Sequence, residues 1–160
     1  MGRDLTILVA EDDPNDALLL KLAFGPVRVD RVHFVGDGKE VIDYLRGESP
    51  YDDRAKHPLP DLLVLDLKMP GTTGFDVLEW LQQRPDLTPM NVAVLSGSES
   101  QPEINQACAM GANFFIVKSV DFERLVGMAK GLIEECRLRL ALQAPGQART
   151  YAHPAARSVV

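Results

Sequence analysis

The feature that most limits the fold of this chain is a set of short aliphatic runs without polar alternation, each stopped by a polar or charged residue. Leu62-Leu63-Val64-Leu65 runs into Asp66, and Leu5-Thr6-Ile7-Leu8-Val9-Ala10 runs into Glu11-Asp12-Asp13. Val92-Ala93-Val94-Leu95 ends at Ser96, and Phe114-Phe115-Ile116-Val117 ends at Lys118. Runs of this kind read as strands covered by helices on both faces, although one so short also suits a buried helix segment when taken alone. After Asp66 the choice is made by Pro70 and Gly71, which stop the element and mark a turn.

Apolar periodicity predicts strands over 5–10, 31–36, 61–66, 91–96 and 114–118, alternating with helices over 14–24, 38–46, 74–83, 102–110 and 121–142. Strand-helix alternation of this length predicts an α/β fold, a doubly wound parallel sheet with helices on both faces. Right-handed crossovers bring the strand ends to one edge, where ligands and chemistry gather in open parallel sheets. Local signals agree. Pro14 stands at a first-turn position behind Asp12 and Asp13, which can cap free amides. Gly38 opens a second helix carrying Val41, Ile42 and Leu45, and Gly47 suits its stop. Asp121 suits the cap of the last helix, whose stripe of Phe122, Leu125, Val126, Ala129, Leu132, Ile133 and Cys136 reads as core.

A chain of 160 residues with 46% hydrophobic content fits one domain, placed at 1–142, followed by a tail at 143–160. Pro145, Gly146 and Pro154 in that tail predict mobility. A formal net charge of −6 argues against a nucleic-acid surface. Cys108 and Cys136 form neither a metal spacing nor a disulfide framework and read as free thiols in a reducing compartment. The N-terminus shows no secretory signal, and no apolar run approaches the roughly 20 residues that span a bilayer. A cytoplasmic protein without membrane partners is expected. Two segments exceed a minimal domain. Residues 47–60, rich in Pro and charge, form a long loop that suits a partner surface. Residues 137–142 prolong the last helix, either for association or as a frayed solvent helix.

Asp66 alone is ordinarily a solvated loop aspartate; its company suggests more. Carboxylates converging on a strand edge can hold Mg²⁺, which keeps several waters and takes one or two carboxylates, and Glu11, Asp12 and Asp66 fit that use. An Asp66 carboxylate oxygen could then attack phosphorus and form an acyl phosphate. The Ser96 hydroxyl and the Lys118 ammonium suit the extra phosphoryl oxygens.

Over about residues 5–135 the sequence resembles the receiver domain of two-component response regulators. Ile7 to Asp13 resembles the acidic pair after the family's first strand, and Asp66-Leu67-Lys68-Met69-Pro70-Gly71-Thr72-Thr73-Gly74 resembles its phosphoacceptor loop. Ser96 lies 30 residues after Asp66 and Lys118 lies 22 after Ser96, as in the family pattern. The resemblance implies a flavodoxin-like five-stranded sheet of order 2-1-3-4-5 and a phosphoacceptor protein rather than a turnover enzyme. It implies Asp66 as the acceptor, Glu11, Asp12, Asp66 and the Lys68 backbone carbonyl around Mg²⁺, and Ser96 and Lys118 on the phosphoryl group. It further implies a switch in which Ser96 moves inward and Phe115 changes rotamer, although Phe115 by itself reads as a core aromatic.

Lys118 is followed by Ser119 where many members carry a cis proline, so no cis bond is expected there. Lys68 and Ser98 occupy positions that modulate phosphoryl loss in the family, while a solvent-facing Lys68 is the default for lysine. The long loop, the Asp13-Pro14-Asn15-Asp16 start of the first helix and the single-domain length resemble the subgroup paired with phytochrome-type sensor histidine kinases. In that subgroup the prolonged last helix contributes to a homodimer; the downstream protein is unspecified. Three rivals stand beside this reading. A flavodoxin-like nucleotide or flavin binder is opposed by three acids where a phosphate loop belongs. A haloacid-dehalogenase-like phosphatase wants an acid at the position of Lys68. A degenerate receiver acting as an interaction scaffold is opposed by the full set of polar residues.

Overall fold

The computed structural model describes residues 5–29, 31–87 and 89–142, together with the backbone of 157–158. The elements are β1 (Thr6–Ala10), α1 (Pro14–Phe24), β2 (Arg31–Val35), α2 (Gly38–Arg46), β3 (Leu62–Asp66), α3 (Gly74–Gln82), β4 (Asn91–Ser96), α4 (Gln101–Ala109), β5 (Phe114–Val117) and α5 (Phe122–Ala141). The expected alternation holds, with ends within about two residues of those read from periodicity. A short 3-10 turn at Pro85–Leu87, between α3 and β4, was not expected.

The expected order β2-β1-β3-β4-β5 is present, with every neighbouring pair parallel. A two-residue strand, β6 (Arg157–Ser158), extends the sheet by pairing with Phe114 and Phe115 at the β5 edge. The remainder of the 143–160 segment, for which mobility was expected, lies outside the described residues.

The unalternated strands are explained by two cores. Leu5, Ile7, Val9, Leu62, Val64, Ala93, Leu95, Phe114 and Ile116 face α1 and α5, meeting Phe24, Leu125, Leu132 and Cys136. The intervening residues Leu8, Ala10, Leu63, Leu65, Val92, Val94 and Phe115 face α2, α3 and α4, meeting Val41, Tyr44, Val77, Leu78 and Ala107. Successive strand side chains point to opposite faces, so a sheet buried on both sides needs apolar residues at every position.

Chain ends of the helices are fixed as their residues suggest. Asp13 accepts hydrogen bonds from the amides of Asn15 and Asp16 at the start of α1, and Asp121 does the same for Glu123 and Arg124 in α5. Gly47 stops α2 in the left-handed region at φ 72°, a conformation that costs glycine little. The loop 47–60 folds back on α2. Arg54 donates from Nη1 to the Tyr44 carbonyl at 2.8 Å and from Nη2 to the Leu45 carbonyl at 2.8 Å, two acceptors of the last turn. Tyr44 donates to the Pro58 carbonyl at 3.0 Å, and the loop rings of Tyr51 and His57 cluster with Tyr44 of α2 and His33 of β2. The Lys118–Ser119 peptide is not cis, as its lack of proline implies. Both cysteines are free, and burial pushes the Cys136 thiol up to about 12. Among the described residues no helix is long and apolar enough to cross a membrane.

Candidate functional site

Strand order and register bring the strand ends together. Asp66 closes β3 and Ser96 closes β4, while Glu11 and Lys118 directly follow β1 and β5. Ala10 is level with Leu65, Asp66 with Leu95, and Ser96 with Val117, so the four residues emerge along one edge.

Asp66 is only 2% exposed although it lies at the end of a strand. Its Oδ2 accepts a hydrogen bond from Lys118 Nζ at 2.9 Å, and its Oδ1 accepts from the Lys68 amide at 3.0 Å. The loop that carries it is tied at both sides. The Leu67 amide donates to the Leu95 carbonyl at 3.1 Å, and the Gly74 amide donates to the Leu67 carbonyl at 3.1 Å. The α3 start is locked by a reciprocal capping box between Thr73 and Asp76. The Lys68 side chain lies in solvent.

Lys118 joins three acids. Beyond Asp66, its Nζ lies 2.9 Å from Glu11 Oε2 and 3.3 Å from Asp16 Oδ2 of α1. Its backbone amide donates to the Ser96 carbonyl at 2.7 Å, which fixes the base of the side chain against β4. Asp16 is a partner that the sequence reading missed; its place one helical turn behind the acidic run was the available signal.

Glu11, 4% exposed, accepts from the Asp13 amide on Oε1 at 3.1 Å. Its Oε2 is ion-paired with Lys118 Nζ at 2.9 Å. Burial, opposed by Lys118 and assisted by the negative charge of Asp66, pushes the Glu11 carboxyl up to about 7. Burial alone would depress the Lys118 ammonium, yet Glu11 and Asp66 together hold it above the ordinary lysine range. Asp12 is exposed at the mouth. Glu11, Asp12 and Asp66 each offer a carboxylate oxygen, and all three oxygens lie within 4.8 Å of one another. Such an all-oxygen set suits a hard divalent cation.

Ser96 is buried, and its hydroxyl is turned toward α4. It donates to Glu103 Oε2 at 3.3 Å and accepts from the Ser98 amide at 3.1 Å. Phe115 lies on the same side of the sheet as α4, buried among Val94, Ala107 and Ala112. The structure thus gathers Asp66, Glu11, Asp12 and Lys118 in one cluster, with Ser96 at its edge and Phe115 in the adjoining core.

The profile of the response regulator receiver domain matches residues 7–130. The chain belongs to this family. The receiver is similar to the response regulator RPA3017 in red light signaling of R. palustris, at 34% identity and TM-score 0.74, over 80% of this chain and 90% of that one. It is also similar to the phosphorylated cyanobacterial phytochrome response regulator RcpA, at 32% identity and TM-score 0.75, over 90% of this chain and all of that one. Response regulator Rcp1 of Synechocystis is 28% identical over 127 residues, which cover 79% of this chain and 84% of Rcp1. The Mn²⁺-bound form of Rcp1 superposes with TM-score 0.72 over 89% of this chain and 99% of that one, at 26% identity.

Proposed function

We infer that this receiver takes a phosphoryl group onto Asp66 from a phosphohistidine of a sensor kinase, in a Mg²⁺-dependent reaction, and signals through the change that follows. The observation that carries the reading is the pairing of buried Asp66 with Lys118 at 2.9 Å beside two further carboxylates. A solvated aspartate needs no such surroundings.

The residues fit a Mg²⁺ ion. Three carboxylate oxygens lie within 4.8 Å of one another, an all-oxygen donor set of the kind a hard divalent cation takes. Glu11, Asp12 and Asp66 would hold it, with the Lys68 backbone carbonyl as the further ligand that the resemblance to the receiver pattern implies. Bound there, the ion supplies positive charge against the phosphoryl oxygens.

In the transfer, an Asp66 carboxylate oxygen forms a bond to phosphorus while the P–N bond to the donor imidazole breaks and the imidazole leaves. The tied Lys68 amide and the Lys118 ammonium fix the carboxylate for attack. Lys118 and the Ser96 hydroxyl then hold the phosphoryl oxygens on the acyl phosphate. Phe115 repacks in the space that Ser96 leaves as it turns inward. The likeness to RcpA and RPA3017 favours a phytochrome-type kinase as donor. Exposed Leu138 and Leu142 at the end of α5 favour a homodimer, for which light scattering is the check.

Incubation with acetyl phosphate and Mg²⁺, followed by intact mass measurement, tests the acceptor. Wild type should gain one phosphoryl group and Asp66→Asn none. A wild type that gains nothing overturns the reading.

A further inference from the structure

The sequence Ser100-Gln101-Pro102-Glu103 has the S-x-x-E form of a capping box, in which the serine caps the third helical residue and the glutamate reaches back to the serine amide. In α4 the box is open. Ser100 makes no side-chain cap, and its amide donates instead to Ser98 Oγ at 3.1 Å. Glu103, which should close the box, instead accepts a hydrogen bond from the Ser96 hydroxyl at 3.3 Å. The Thr73–Asp76 box of α3 is closed, so nothing in the fold forbids the motif.

Serine has one hydroxyl proton to donate. Ser96 cannot give it both to Glu103 and to a phosphoryl oxygen on Asp66. We propose that Glu103 is a positioning residue that latches Ser96 in the resting state and, when Ser96 turns to the phosphoryl group, swings back to close the capping box with Ser100. The proposal rests on the phosphoacceptor reading of Asp66 and adds its regulation. Occupancy of Asp66 is thereby coupled to the first turn of α4 through two alternative partners of one carboxylate, the two-arrangement element that a switch requires.

The test uses beryllium fluoride as the phosphoryl mimic, at saturating Mg²⁺, with the full chain. Glu103→Gln keeps the capping ability but weakens the charge-assisted bond to Ser96, so it should bind the mimic on the order of three- to ten-fold more tightly than wild type. Loss of a negative charge near the site would also tighten binding, and Ser96→Ala separates the causes. With the latch, Ser96→Ala and Ser96→Ala/Glu103→Gln bind equally, because no hydroxyl remains to release. A gain that persists without Ser96, or no gain with it, overturns the latch. Failure of wild type to bind the mimic at all would instead overturn the phosphoacceptor reading.

Discussion

Gly74, the first residue of α3, is pressed against the backbone of Asp66. A Cβ at Gly74 would lie 2.7 Å from Leu67 Cα and closer still to the Asp66 carbonyl oxygen. Both obstacles are backbone atoms of a strand end paired to β4 and cannot yield as a flexible side chain would. Gly74→Ala should therefore cost about 2 kcal/mol or more in denaturant unfolding and slow phosphorylation by shifting Asp66. Wild-type stability and rate in this variant would show that α3 does not fix the acceptor.

Lys118 balances two carboxylates that are almost fully buried, while its own side chain is 27% exposed. Removing one partner of a buried pair is costly because the other charge stays behind, and partial exposure moderates the loss. Lys118→Met should be destabilised by about 1–3 kcal/mol without metal. Mg²⁺ should recover more stability in the variant than in wild type, since it replaces the missing positive charge. Equal Mg²⁺ effects on the two unfolding curves would contradict this.

Burial raises the Glu11 carboxyl to about 7, so above that pH it is ionised and below it carries a proton that a cation must displace. Mg²⁺ affinity should accordingly fall as pH drops through 7, by up to ~10-fold per pH unit, and a proton should be released on binding. Titration calorimetry in buffers of different ionisation enthalpy reads both. Affinity that stays flat down to about pH 6 would contradict a protonated Glu11 that the cation must displace.

Arg54 ties loop 47–60 to the end of α2 through the Tyr44 and Leu45 carbonyls. Arg54→Ala should lose about 2 kcal/mol and speed amide exchange across 48–60, with acetyl phosphate labelling of Asp66 retained. Unchanged exchange in the loop would mean that the ring contacts of Tyr51 and His57 with Tyr44 suffice.

The fold was largely legible because each strand is buried on both faces, and an unalternated run such as Leu62–Leu65 has few other uses. The cluster was legible through the same geometry, since parallel strands deliver their next residues to one edge. What escaped were contacts set by helix orientation rather than strand order. Asp16 and Glu103 reach the site from α1 and α4, and which way a first-turn side chain points depends on packing that periodicity does not encode. Arg54 escaped for a related reason: a polar, proline-rich loop shows no period, and its anchor is a pair of backbone carbonyls.

On the proposed function, the Asp66 carboxylate itself carries the phosphoryl group. Borohydride reduces an acyl phosphate to the alcohol, so protein treated with acetyl phosphate and Mg²⁺ and then reduced should yield a peptide with homoserine at position 66. Homoserine at another acid, or an unmodified aspartate at 66 alongside a phosphorylated chain, would contradict the account.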